Sequence, residues 1–109
     1  MNTTTLGALA EPTRLKIVEL LSKGPLTVGE VGNRLQLRQP QASKHLKYLH
    51  EAGLVEMRPD ANRRIFHLRL EPLMELDGWL DSYRKLWEDS FDRLDNYLME
   101  LQKSDEQKF

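Results

Sequence analysis

A mainly helical chain carrying one small β-hairpin, in the order α-α-α-α-β-β-α and with a long last helix, is the fold class that these 109 residues predict. Three observations carry that reading. Apolar residues recur at three- and four-residue spacing as far as Leu49, the period changes to two after Gly53, and helical spacing returns at Glu71 and persists almost to the end.

Each element can be justified in turn. Thr3 to Ala10 reads as a short helix or turn carrying Leu6 and Leu9. Pro12 suits a first helical turn, and Leu15, Val18 and Leu21 repeat at helical spacing up to a stop at Gly24-Pro25. Thr27 and Glu30 form a T-x-x-E capping box, with Leu26 and Val31 placed as the hydrophobic staple around it. A helix should therefore begin at Thr27, bury Val28, Val31 and Leu35, and end near Gln36. The next helix, about 39–52, gathers Ala42, Leu46, Leu49 and Gly53 on one face. Leu54 to Arg58 and Arg64 to Leu70 then read as two strands, with Phe66, Leu68 and Leu70 alternating with Ile65, His67 and Arg69. His67 is expected to face out. The link Pro59-Asp60-Ala61-Asn62-Arg63 supplies turn formers, and Asn62 can adopt the left-handed conformation that a tip needs. The last helix should run from about 72 to 102, roughly 45 Å, with Lys103 to Phe109 frayed.

A chain of 109 residues with 39% hydrophobic content can form one core, so residues 1–109 are expected to be a single domain with an appended element. There is no cysteine, which excludes disulfides, thiolate metal sites, cysteine nucleophiles and thiol switches. No signal peptide or membrane span is visible, so no membrane insertion and a cytoplasmic location are expected. The net charge of −1 conceals an asymmetry: through Leu70 there are 11 Lys and Arg against 6 Asp and Glu, and from Glu71 onward 5 against 11. A basic front half suits a polyanion, and an acidic tail suits a face turned away from it.

The helix at about 39–52 is the centre of that basic half. Its outer face carries Pro40, Gln41, Lys44, Lys47, Tyr48 and Glu51, amides and ammonium groups of the kind that meet base edges and phosphates in a DNA major groove. Alone, such a face reads more readily as solvated surface. Preceded by a second short helix and followed by a hairpin with Arg58, Arg63 and Arg64 at its tip, it becomes a helix-turn-helix with a basic wing. Double-stranded DNA is the expected partner, contacted by Arg38, Gln39, Gln41, Ser43, Lys44, Lys47, Tyr48, Arg58, Arg63 and Arg64.

The last helix has an apolar stripe longer than a core of this size can cover. Folding back over its own domain is one solution, and pairing with a second copy of the chain is the simpler one. The homodimer so expected joins through Leu76, Trp79, Leu80, Tyr83, Leu86, Trp87 and Leu94, with the segment around Leu6 and Leu9 packed beside them.

No catalytic set is present: there is no Ser-His-Asp arrangement, no paired-carboxylate cleft and no glycine-rich phosphate loop, so an enzyme is not expected. His45 lies beside the buried face of its helix and reads as a packed, hydrogen-bonded residue, and His50 and Glu51, being adjacent, cannot point the same way.

The segments LGALAEPTRLKIVELL, LTVGEVGNRL, QPQASKHLKYLHEAGLVEMR and RRIFHLRLEPL resemble, in order and spacing, the winged helix-turn-helix repressors of the bacterial ArsR family. That resemblance covers about Leu6 to Leu101 and implies a homodimer that binds an inverted-repeat operator and represses transcription, often including its own. Three departures matter. Thr27, Val28 and Gly29 stand where metal-sensing members carry C-V-C, the last helix has no histidine beside Asp77, Asp81, Glu88, Asp92 and Asp95, and Ala61-Asn62 replaces the glycine common at the wing tip. No metal site and no cofactor are therefore expected. Relief of repression by a partner protein, by a small apolar effector between the long helices, or by dilution alone is left open, as is a winged-helix protein-interaction module that has lost DNA binding.

Overall fold

Local chemistry sets most element boundaries in the computed structural model, which describes the backbone of residues 2–107 and side chains through Ser104. The order is α1 (Thr3–Leu9), α2 (Pro12–Leu21), β1 (Leu26–Thr27), α3 (Val28–Leu35), α4 (Gln39–Glu51), β2 (Val55–Asp60), β3 (Arg63–Leu68) and α5 (Glu71–Gln107). Asn2 caps α1 by accepting the Thr4 N–H at 2.9 Å. Glu11 caps α2 by accepting the Arg14 N–H at 2.7 Å, with Pro12 in the first turn. At α3 the capping box is complete: Glu30 N–H donates to Thr27 Oγ1 at 3.2 Å, and Thr27 N–H donates to Glu30 Oε1 at 3.1 Å.

The two turns that flank α4 need special backbone. α3 ends on Gln36 in the left-handed region, φ 56° and ψ 44°, and the Leu37 N–H closes the end on the Gly32 carbonyl at 2.8 Å. A Cβ on buried Gly32 would stand 3.0 Å from the Leu37 carbonyl oxygen, so a glycine lets α3 meet this turn closely. α4 ends in a Schellman motif: Gly53, at φ 80°, donates to His50 at 3.1 Å, and Leu54 donates to Leu49 at 2.9 Å.

The core is built from Ile17, Val31, Leu46, Leu49, Leu54 and Val55, all under 2% exposed, with Ala8 and Ala42 also fully buried. Leu26 and Val31 both join it, as expected for the staple. The predicted stripe of α2 is corrected at one position: Leu15 is 40% exposed, and Ile17 takes the buried place beside Val18 and Leu21. Val28 and Leu35 are half-buried and pack against the core.

The sheet has three antiparallel strands in the order β1-β3-β2, one more than the predicted hairpin. Leu26 and Thr27 pair with Phe66 and Ile65, which makes β3 central and leaves His67 half-buried where an outward position was expected. β2 and β3 also reach further toward each other than predicted, Asp60 pairing with Arg63, so the turn is only Ala61-Asn62. The left-handed residue there is Ala61, φ 54°, and not Asn62.

The chain divides into one unit up to Glu75 and one from Leu76 onward. In the first, Leu73 near the start of α5 packs against the core. The second is the continuation of α5, which runs past the predicted end near Gln102 to Gln107; Lys108 and Phe109 of the expected frayed end lie outside the described residues. Along it Trp79, Leu80, Tyr83, Leu86, Trp87 and Leu94 are exposed, and Trp79 meets Tyr83 edge to face with centroids 5.4 Å apart. Among the described residues no helix is long and apolar enough to cross a membrane.

Candidate nucleic-acid interface

The spacing of α4 sorts its side chains before any partner is considered. Ala42, Leu46 and Leu49 are 0% exposed, which turns the opposite side of the helix outward. Gln39, Gln41, Ser43, Lys44 and Lys47 are all exposed, as is Arg38 at the N-cap. Gln41 also braces its own helix, because its Oε1 accepts the Arg38 backbone N–H at 3.1 Å, tying down the first turn while its amide –NH2 stays free to donate.

Tyr48, also assigned to this face, has a different neighbourhood. The Arg14 guanidinium sits over its ring, 3.9 Å from the centroid, so one face of the ring is taken by the protein itself and the residue stays 46% exposed. His45 is half-buried, with Nδ1 3.8 Å from the Glu11 carboxylate.

Strand alternation sorts the wing in the same way. Met57 pairs with Phe66, and Pro59 with Arg64, which places Met57, Arg64 and Phe66 on the face shared with buried Val55 and half-buried Leu68. Arg58 and Arg63 stand on the other face, where each meets a carboxylate: Arg58 that of Glu56, and Arg63 that of Asp60 at 3.2 Å. Among the described residues Arg64 has no such partner. It turns toward α4 and lines two adjoining clefts there. One, of about 310 Å³, lies among Val28, Ser43, Lys47, His50, Met57, Arg64 and Phe66. The other, of about 400 Å³, brings Thr27, Val28 and Gly29 at the start of α3 together with Gln39, Ser43, Asn62, Arg63 and Arg64, so that Arg63, next to the turn, reaches this cleft although its strand position belongs to the other face.

The α3 terminus, Met57 and His50 were not among the predicted site residues. The signal that could have found Met57 is its parity with Phe66 across a two-residue turn; that of the α3 terminus is the pairing of β1 with β3, which is not a local pattern. Glu30 lies near this region, and its carboxyl is held below the usual range, first by the Thr27 backbone N–H and then by the Thr27 hydroxyl, with Arg34 and Arg63 adding to the effect. The Glu11 carboxyl is lowered in the same manner by the Arg14 N–H. Among the described residues no three His, Asp or Glu side chains converge as a metal site would require.

A two-helix unit with an exposed amide- and lysine-bearing second helix, beside a hairpin that carries arginines, defines a winged helix-turn-helix DNA-binding regulator. Residues 11–57 match the model of a family described as bacterial regulatory protein, arsR family. The chain is 45% identical over 76 residues to the HTH-type transcriptional regulator Rv2034 of Mycobacterium tuberculosis, covering 70% of this chain and 71% of that one. It is 36% identical over 78 residues to the arsenical resistance operon repressor of Staphylococcus xylosus, covering 72% and 75%. Its fold matches the homodimeric winged helix-turn-helix DNA-binding domain Mb0332 of Mycobacterium bovis with a TM-score of 0.63 at 26% identity, covering 76% of this chain and 77% of that one. The chain belongs to the ArsR family of bacterial transcriptional regulators, and not to an enzyme family.

Proposed function

We propose that this regulator is a homodimeric repressor that binds an inverted-repeat operator and responds to neither metals nor thiol oxidants. The observation that carries the reading is the division of α4: Ala42, Leu46 and Leu49 fully buried, Gln39, Gln41, Ser43, Lys44 and Lys47 exposed. Gln41 and Lys44 read base edges in the major groove, Ser43 and Lys47 hold the helix against it, and Arg64 reaches a phosphate. Arg38 and Gln39 lie at the N-terminal end of the helix, where backbone contacts concentrate. Arg58 acts on the duplex from the far face of the wing and Arg63 from its tip beside the larger cleft, each after leaving its carboxylate. Tyr48, covered by Arg14, contributes at the edge of the footprint.

Pairing of two copies through α5 covers Trp79, Tyr83, Leu86, Trp87 and Leu94, with Leu6 beside them. Leu9 packs against the core of its own chain, which gives it a smaller share of that contact. The chain has no cysteine, and α5 no histidine, which leaves metal and oxidant sensing without its usual ligands. A named relative that is a repressor and a fold neighbour that is a homodimer support the same reading.

Selection of bound duplexes from random DNA tests it. Enrichment of a two-fold symmetric site with half-sites roughly 34 Å apart is expected. Enrichment of a single, asymmetric half-site would remove the dimer from the reading, and no enrichment would remove sequence recognition.

A further inference from the structure

The smaller of the two clefts has a composition that DNA recognition does not call for. Its floor is Val28, Met57 and Phe66; Met57 is 38% exposed and Phe66 half-buried, so apolar surface is open to solvent inside a face otherwise made of amides and cations. Lys47 and Arg64 stand at its edge, Ser43 and His50 add hydrogen-bonding groups, and no Asp or Glu lines it. A duplex offers this face base edges and phosphates, which Lys47 and Arg64 can meet without an apolar recess between them. At about 310 Å³ the cleft falls at the lower end of the range for small-molecule sites, roughly 300–1,000 Å³.

We propose that this cleft binds a small amphipathic organic anion, an aromatic or medium-chain carboxylate, whose presence excludes DNA from α4 and the wing. The inference rests on the reading of that face as the DNA interface. The apolar body lies on Val28, Met57 and Phe66, and the carboxylate meets the Arg64 guanidinium, with the Lys47 ammonium beside it. Both cations lack a carboxylate partner among the described residues, so the anion displaces no ion pair. Charge complementarity selects a carboxylate over an amine, and the recess selects it over inorganic phosphate. Bound there, the ligand occupies the two side chains that DNA would need, and release follows from competition without a conformational change.

The test uses the full ¹⁵N-labelled chain and 2-naphthoate as probe, first without DNA. Saturable shifts at the amides of Val28, Ser43, Met57 and Phe66, with Kd of order 1 mM or tighter, are expected. The uncharged analogue 2-naphthalenemethanol should bind at least about fivefold more weakly. Met57→Ala should weaken naphthoate binding by about threefold to tenfold and change affinity for the selected duplex by a smaller factor, because Met57 supplies apolar floor to the cleft and no hydrogen-bonding group to DNA. Added naphthoate should then raise the apparent Kd for DNA in wild type more than in the variant. Absence of saturable shifts in the cleft, or shifts confined to Trp79 and Trp87 on α5, would overturn the site. Equal binding of the alcohol would overturn the anion preference. Cleft binding that leaves DNA affinity untouched would overturn the exclusion. A chain that binds no duplex at all would sink the DNA reading instead, and the first measurement would still report on the cleft.

Discussion

Arg14 fastens α1 to α4 through Tyr48: its guanidinium covers the Tyr48 ring at 3.9 Å, while its Nε donates to the Ala8 carbonyl at 2.8 Å and Nη2 to that of Gly7 at 3.3 Å. One side chain thereby satisfies two carbonyls at the C-terminal end of α1 and packs on α4. Arg14→Ala should lower stability by about 1–3 kcal/mol, through lost hydrogen bonds to a charged donor and lost stacking. Arg14→Lys should recover less than half, since an ammonium cannot reproduce the planar fork. Urea unfolding monitored by circular dichroism checks both, and a lysine variant equal to wild type would show that charge alone matters.

The wing tip holds an alanine where the backbone asks for glycine. Ala61 sits at φ 54°, a conformation that costs an L-residue roughly 1–2 kcal/mol. Ala61→Gly should raise stability by about 0.5–1 kcal/mol after the entropy lost to a more flexible unfolded chain. Asn62→Gly, at a position without positive φ, should not. The comparison is a shift in urea midpoint at constant m.

Acid should remove the caps of α2 and α3 together. The folded pKa values of Glu11 and Glu30 lie below the ordinary 4.5, so their stabilisation is complete above that value and is lost as pH falls through the lower folded values. Glu11→Gln and Glu30→Gln should each flatten the acid limb of the stability profile below pH 4.5 by lowering stability at neutral pH toward its acid value, because the amide oxygen accepts the capping N–H without the carboxylate's charge. Thermal unfolding across that range decides the matter, and unchanged acid limbs would refute the assignment.

On DNA, Lys44→Ala should weaken binding to the selected duplex more than to random DNA, by about 1–3 kcal/mol. Gln41→Ala should do the same and also loosen the first turn of α4, because its Oε1 holds the Arg38 N–H. Arg64→Gln should weaken both kinds of DNA and flatten the log–log salt slope by close to one unit per lost phosphate contact. Arg58→Gln and Arg63→Gln should move that slope less, since both cations start out paired with Glu56 and Asp60. Equal slopes for all three would mean that those pairs dissolve at the duplex without effect.

Truncation after Pro72 should abolish dimers. Sedimentation of the full chain at micromolar concentration should give the dimer mass, and the truncated chain should sediment as monomer or aggregate and bind DNA weakly. A full-length monomer would overturn the role given to Trp79, Tyr83 and Trp87.

The sequence was legible where one residue's neighbours are a few positions away. Ala42, Leu46 and Leu49 follow from helical spacing, and the Thr27–Glu30 box from a four-residue pattern. It misled where two readings share a period: Leu15 and Ile17 both fit a helix with Val18 and Leu21, and only the arrangement of the other helices chooses Ile17. The two-residue strand Leu26–Thr27 was invisible because its pairing with Phe66 and Ile65 spans some forty positions. Among the site residues, exposure of the α4 set was readable, whereas the Arg14 cover on Tyr48 and the division of the wing arginines between two faces depend on contacts between elements.

Leu54 joins the two parts of the reading head more tightly than a linker would. Its N–H closes α4 on Leu49, its side chain is wholly buried, and its carbonyl accepts the Arg69 N–H at 2.8 Å just after β3. Helix and hairpin are thus clasped at a single residue, and re-aiming the wing against the helix would break one of these bonds or unbury Leu54. The angle between them, and with it the span of DNA that one head can grip, is an inherited dimension of the fold. Variation in what is recognised must then come from the side chains on that fixed frame or from how two frames are set apart.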